Sequence, residues 1–165
     1  QKLKSHIGLM LKITILAVGT IKEKYWNDAL AEYKKRLQSF ATLEIRELKE
    51  ESAGSKDNTD VVIAKEAEHI IKALPERAFI IALDEHGVEF DSVGFSKKLD
   101  GVKQEFSHIV LIIGGAFGLH PSIFEHVDLK LSLSKSTITH QMVRVTLLEQ
   151  IYRACMISAG KPYHH

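Results

Sequence analysis

Two short stretches of this chain have the residue types for ligand chemistry. The first is Ile112-Ile-Gly-Gly-Ala-Phe-Gly118, where three glycines follow a run of branched apolar residues. Glycine tolerates positive φ and lets backbone N–H groups approach a ligand closely. The second is Leu131-Ser-Leu-Ser-Lys-Ser-Thr-Ile-Thr-His-Gln-Met142, rich in hydroxyls and backbone donors. Thr137 or Thr139 is also placed to cap a following helix. Two such loops at neighbouring strand ends can together enclose one flat ligand, at the edge where parallel sheets bind their ligands.

Other chemistries are poorly served. The glycines read G-G-x-x-G rather than the dinucleotide G-x-G-x-x-G, and they follow the fourth expected strand, not the first. Ser134 stands where a ribose-binding acid would fall. No G-x-x-x-x-G-K-[ST] phosphate loop occurs. Histidine is abundant, nine in all, but no pair has helical metal-ligand spacing, so no metal is expected. His69, His86, His108 and His126 read as surface or strand-edge residues. His140 and His164 carry more weight, because they flank the last helix near the expected pocket. Cys155, the single cysteine, lies among apolar neighbours and reads as core packing.

The elements that must position these loops follow from hydrophobic period and punctuation. Lys12 to Val18 reads as a buried strand halted by Gly19, and about Lys22 to Phe40 as a helix with Trp26, Leu30, Tyr33 and Leu37 on one face. Leu43 to Leu48 alternates like a half-exposed strand. Glu50 to Asp60 reads as a loop, then about Asp60 to Leu74 as a helix ending at Pro75. Ala78 to Leu83 is a third strand, stopped by Asp84-Glu-His-Gly87. Asp91 or Ser92 can cap a short helix to about Asp100. His108 to Ile113 and Leu129 to Leu133 are further strands, with a short helix from Pro121 between them. Thr139 opens a long helix to about Ser158, and Gly160 to His165 forms a tail.

Strands alternating with helices, several of them continuously apolar, imply a single α/β domain with a mostly parallel sheet and helices on both faces. It is expected to span residues 11–165, with residues 1–10 an extension outside the fold. The last helix is apolar around much of its surface, from Met142 to Met156. Such a helix is either central to a large core or shared, which predicts a homodimer here. Glu149 and Arg153 have the i,i+4 spacing of an ordering ion pair.

Composition bounds the partners. The chain has 165 residues, 22 basic against 21 acidic, and a net charge of +1. Nucleic-acid contact must therefore come from a local patch, not from overall charge. One cysteine suits a reducing cytosol. No apolar run approaches the roughly 20 residues that cross a bilayer, so no membrane is expected.

Several motifs carry a family resemblance. Leu11-Lys-Ile-Thr-Ile-Leu-Ala-Val-Gly19 with Lys24-Tyr-Trp26 resembles the amino terminus of the bacterial large-subunit pseudouridine methyltransferase H family. Ile113-Gly-Gly-Ala-Phe-Gly-Leu-His120 is similar to its glycine loop. Leu133-Ser-Lys-Ser-Thr-Ile-Thr-His-Gln-Met-Val-Arg144, Glu149-Gln-Ile-Tyr-Arg-Ala154 and Gly160-Lys-Pro-Tyr-His164 resemble its last loop, helix and tail. Where members often end in Lys or Arg, this chain has His165.

That resemblance implies a SPOUT methyltransferase: a carboxyl-terminal trefoil knot, bent S-adenosylmethionine as cofactor, and a dimer facing through the last helix. The implied reaction is methylation of N3 of a pseudouridine in 23S ribosomal RNA on assembled ribosomes, in the cytoplasm. The implied cofactor residues are Leu83, Gly114, Leu133, Ser134, Lys135, Ser136, Thr137 and Ile138. The implied shapers of the reacting centre are His140, Arg144, Tyr163 and His164, with the tail closing over the partner's pocket.

Overall fold

A computed structural model describes residues 10–52, 54 and 58–163 of the chain. Five strands, β1 (Leu11–Val18), β2 (Ala41–Leu48), β3 (Phe79–Glu89), β4 (His108–Ile113) and β5 (Leu129–Ser132), form one parallel sheet in the order β2-β1-β4-β3-β5. Between them run α1 (Lys24–Leu37), α2 (Thr59–Ala73), α3 (Ser92–Glu105) and a 3₁₀ turn over Pro121–His126; α4 (His140–Ser158) follows β5. The expected α/β class, with helices on both faces, is what the chain adopts.

The period of two along β1 decides which residues enter which core. Ile13, Ile15 and Ala17 face the layer of α1, α3 and α4, packing with Leu37, Leu99, Leu147 and Ile151. Leu16 and Val18 face the opposite layer, with Ala67 and Ile70 of α2 and Ile123 of the 3₁₀ turn. Central β4 is buried along Ile109 to Ile113, which explains its unbroken apolar run. Edge strand β2 buries Ala41 and Leu43 and leaves Glu44 and Arg46 exposed, as alternation requires.

Two details depart from the sequence expectation. Asp84-Glu-His-Gly87 does not stop β3. Leu83 and Val88 both stand opposite Leu131, so these four residues loop out and the strand resumes to Glu89. Turn-forming residues look alike whether they end a strand or interrupt it. Second, Thr139 occupies the cap position of α4, yet its side chain makes no capping hydrogen bond. Asp91 does cap α3, its Oδ1 accepting from Gly94 N at 2.6 Å.

The apolar last helix finds much of its cover within the chain. It packs against both α1 and α3, burying Leu147, Leu148, Ile151, Ala154 and Cys155. Met142 remains exposed, and Val143, Val145 and Met156 are half-buried. Cys155 is a buried core residue whose thiol is pushed up chiefly by burial, away from nucleophilic behaviour. Among the described residues no helix is long and apolar enough to cross a membrane.

Candidate functional site

The carboxyl ends of β3, β4 and β5 meet at a cavity of about 950 Å³, within the range of small-molecule sites. One wall is the glycine loop from Ile113 to Leu119. The other runs from Leu133 through Ser134, Ser136, Thr137 and Ile138 to Thr139, His140, Gln141 and Val143. Leu83, Leu131 and Phe124 contribute apolar surface.

The glycine loop is shaped by its own backbone. Gly118 adopts φ +79°, and its N–H donates to Gly115 O at 3.2 Å. A Cβ on Gly114 would lie 2.9 Å from the carbonyl carbon and oxygen of Gly118. Gly114 is therefore required first by the loop's own closure. Ala116 and Phe117 are left exposed at its tip.

In the opposite loop the hydroxyls organise the turn. Ser132 Oγ donates to Ser134 O at 3.1 Å, and Ser134 Oγ accepts from Ser136 N at 2.9 Å. These bonds hold the Leu133–Ile138 wall just ahead of α4, whose N-terminus carries a partial positive charge.

Most of the expected site residues come together. Leu83, Gly114, Leu133, Ser134, Ser136, Thr137, Ile138 and His140 all line the one cavity. Lys135 instead borders an adjoining recess of about 690 Å³ made by Glu85, His86 and Gly87 of the β3 excursion and by Glu89 where the strand resumes. This recess exists only because Asp84–Gly87 loop out. A Cβ on Gly87 would sit 2.7 Å from the backbone of Lys130.

Arg144 is not where the sequence reading put it. It is 2 % exposed and lines no part of the cavity. Its Nη1 donates to Glu47 Oε2 at 2.7 Å, and its Nη2 to Gly19 O at 2.7 Å and Val18 O at 3.3 Å. Glu47 Oε2 also accepts from Ile21 N at 2.8 Å. With its donors directed at the β1–α1 turn, Arg144 anchors the start of α4 from behind. Only its buried Nε has no hydrogen-bond partner.

Tyr163 also lies away from the cavity of its own chain. Its OH donates to Glu149 Oε1 at 3.3 Å, its ring meets Tyr152 edge-on at 4.8 Å, and the Arg153 guanidinium lies 4.7 Å over that ring. Glu149 and Arg153 form the expected i,i+4 pair at 2.7 Å. Burial first, then the nearby Tyr33 and Glu149, pushes the Tyr163 hydroxyl upward, holding it protonated as a donor. Glu149 is nine residues beyond His140, about 13 Å along the helix at 1.5 Å per residue. His164 and His165 lie outside the described residues, as do residues 1–9 of the expected extension.

The sequence reading missed Asp84, Glu85, His86, Phe124 and Val143 on the cavity, and Glu47, which pairs with Arg144. Val143 was signalled, since it follows His140 on the first turn of a helix. Glu47 carried no signal, because its partner is remote in sequence. Among the described residues no cluster of three His, Cys, Asp or Glu could hold a metal ion.

A parallel sheet with one cavity between two strand-end loops, the second opening the last helix, defines a class of α/β ligand-binding enzymes. Residues 11–164 match the family described as predicted SPOUT methyltransferase, and the chain belongs to that family. Among similar proteins is the ribosomal RNA large subunit methyltransferase H of Bifidobacterium adolescentis, 45% identical over 158 residues, which are 93% of this chain and 99% of that one. A namesake from Streptococcus sanguinis is 41% identical with the same coverage. A putative one from Methanococcus maripaludis is 44% identical over 159 residues, with the same shares of the two chains. In three dimensions a probable methylase family protein from Haemophilus influenzae superposes with a TM-score of 0.55 at 12% identity, over 93% of this chain and 70% of that one. That likeness concerns the fold alone.

Proposed function

We propose that this chain binds S-adenosylmethionine in the cavity and methylates N3 of a pseudouridine in 23S ribosomal RNA, on assembled ribosomes in the cytoplasm. The observation carrying this reading is the single cavity shared by the glycine loop and the Leu133–Ile138 loop, in a chain of the SPOUT family. The residues present fit the cofactor. Leu83, Leu131, Leu133 and Ile138 offer apolar faces for a flat base, and the backbone between Leu133 and Ile138 offers polar groups to base and ribose. The Cβ-free glycines allow close approach beside the sulfonium.

When bound, the cofactor supplies a methyl group already activated by its positive sulfur. The chain's own task is then mainly alignment of nucleophile and methyl. The imide nitrogen must also lose its proton, and His140, on the cavity at the first turn of α4, is the residue assigned to accept it. Arg144 holds that turn in place. Tyr163 and His164 act in the cavity of a second copy, with the tail reaching across a homodimer through α4. The reading includes the family's knotted path through the two loops. Half-exposed Val145 and exposed Met142 favour a shared α4 face.

Methyl transfer from labelled donor to intact ribosomes, large subunits and naked RNA, followed by mapping, tests the reaction. Label at one pseudouridine, strongest on intact ribosomes, is the expected result. Methyl on a uridine remote from any pseudouridine would refute the substrate. Light scattering tests the dimer, which is expected at twice the mass of the 18.6 kDa chain.

A further inference from the structure

The mechanism above makes no use of Glu66, a carboxylate on α2 that is only 4 % exposed. Its Oε1 accepts from Glu51 N at 3.1 Å. A Cβ on Gly115 would stand 3.4 Å from Glu66 Oε2, 3.6 Å from Oε1 and 3.2 Å from Val18. Gly115 itself lines the cavity. A single strand of backbone thus separates the carboxylate from the ligand space.

An acid is a costly choice for this place. The charges that act on Glu66 are those of Glu50, Glu51 and His69. Two of them repel it, and the histidine stands 3.9 Å from Glu51. An amide would accept the same N–H bond without burying a charge. What the acid adds is a negative field reaching the cavity through a low-dielectric layer.

We propose that Glu66, acting through the backbone of Gly115, is the counter-charge to the sulfonium of the methyl donor, and that it makes the cavity prefer this cationic donor over the demethylated product. The inference rests on the function proposed above. In the transfer the S–CH₃ bond breaks with its electron pair staying on sulfur. The new bond forms to the imide nitrogen, whose proton leaves to the base. The product sulfur is neutral, so the attraction to Glu66 ends with the reaction and product release is favoured. Glu66 is a positioning residue in this scheme, touching no reacting atom.

Calorimetry with S-adenosylmethionine and S-adenosylhomocysteine on wild type and Glu66→Gln tests this without turnover. Glu66→Gln should weaken the donor on the order of tenfold, as expected for a charge pair one peptide layer apart, and leave the product nearly unchanged. Equal weakening of both would make Glu66 a mere prop for the loop and overturn the inference, as would no change in either. A wild type that binds neither ligand overturns the parent reading and this one together. A wild type binding both, with an unmoved ratio in the variant, overturns this one alone.

Should Glu66→Gln fail to fold, the wild-type ratio of the two affinities is followed from acid to neutral pH. Groups that do not sense the sulfonium cancel in that ratio. It should rise with pH as Glu66 ionises, and the rise should persist in Glu50→Gln, Glu51→Gln and His69→Gln, and in Asp84→Asn and Glu85→Gln, whose carboxylates border the cavity itself. A flat ratio, or a rise abolished by any one of those variants, overturns the assignment.

Discussion

Arg144 Nη1 and Glu47 Oε2 lie 2.7 Å apart although 97 residues separate them in sequence. The pair joins α4, one turn beyond His140, to the end of β2, and the same guanidinium holds the Gly19 carbonyl just past β1. Three elements therefore converge on one buried cation below the cavity. Arg144→Met should cost about 2–4 kcal/mol, because two backbone carbonyls and a carboxylate lose a charged donor. Urea unfolding measures that loss, and cofactor affinity should fall with it. A variant with unchanged stability but no turnover would return Arg144 to the chemistry.

Gly114 and Gly118 should respond differently to alanine. At Gly114 the added Cβ meets Gly118 backbone at 2.9 Å, so the loop must open. Gly114→Ala should lose cofactor binding, with overpacking of about 1–3 kcal/mol. At Gly118 no atom lies within 4 Å of an added Cβ, but φ is +79°. Gly118→Ala should cost only the left-handed strain, about 1–2 kcal/mol, and keep measurable binding. Calorimetry on both distinguishes loop closure from ligand clearance, and equal binding losses would contradict this division.

Gly87 joins the β3 excursion to β5. Its added Cβ would press on Lys130 and Leu131 backbone at 2.7–2.8 Å. Gly87→Ala should separate these strands locally, costing about 1–3 kcal/mol. Faster hydrogen exchange at Leu131 and Ser132 is the expected readout. Unchanged protection there would mean that the excursion relaxes without disturbing β5.

The Glu66 carboxyl is held above the ordinary glutamate value. Burial is the main cause; the bond from Glu51 N opposes it, while Glu50 and Glu51 add to it. The native state thus binds this proton more tightly than the unfolded chain does. Its effect is to lose stability as pH rises from the ordinary value, about 4.3, through the raised one. Glu66→Gln should therefore be more stable than wild type at neutral pH, with the difference vanishing in acid. Denaturant titrations across that range check the sign. A variant less stable at neutral pH would show the charge to be a stabilising one.

His108 has the opposite sign. Burial first, then Lys12, lowers its pKa, with Glu44 opposing, while Thr14 Oγ1 lies 2.9 Å from its Nε2. Its contribution is lost as pH falls from the ordinary histidine value, about 6.5, through the lowered one. His108→Gln should flatten that part of the acid limb in thermal melts. An unchanged limb would show that the ring is already free to charge in the fold.

Much of the architecture was legible because local signals agreed. The strand His108–Ile113, apolar in its last five residues, has the same bounds in the structure as in the sequence reading, since a buried parallel strand needs no alternation. The walls of the cavity were legible for a related reason. Glycine and clustered hydroxyls at strand-to-helix junctions are locally demanding, and eight of the expected residues share one cavity. The Asp84–Gly87 excursion was illegible because its residues satisfy a terminating turn equally well. Only the pairing of both Leu83 and Val88 with Leu131 distinguishes the two.

By itself the sequence determined the order of strands and helices, the parallel α/β class, and the two loops that form the cavity. Hydrophobic period and glycine placement act over a few residues and do not depend on remote partners. Tertiary structure alone decided that Arg144 is a buried anchor, that Tyr163 rests on Glu149 away from its own cavity, and that Glu66 stands behind Gly115. The roles of these charged and polar side chains depend on which distant groups share their desolvated surroundings. No local pattern encodes that neighbourhood, because it is set when the sheet order brings β2, β1 and β4 together under α2 and α4.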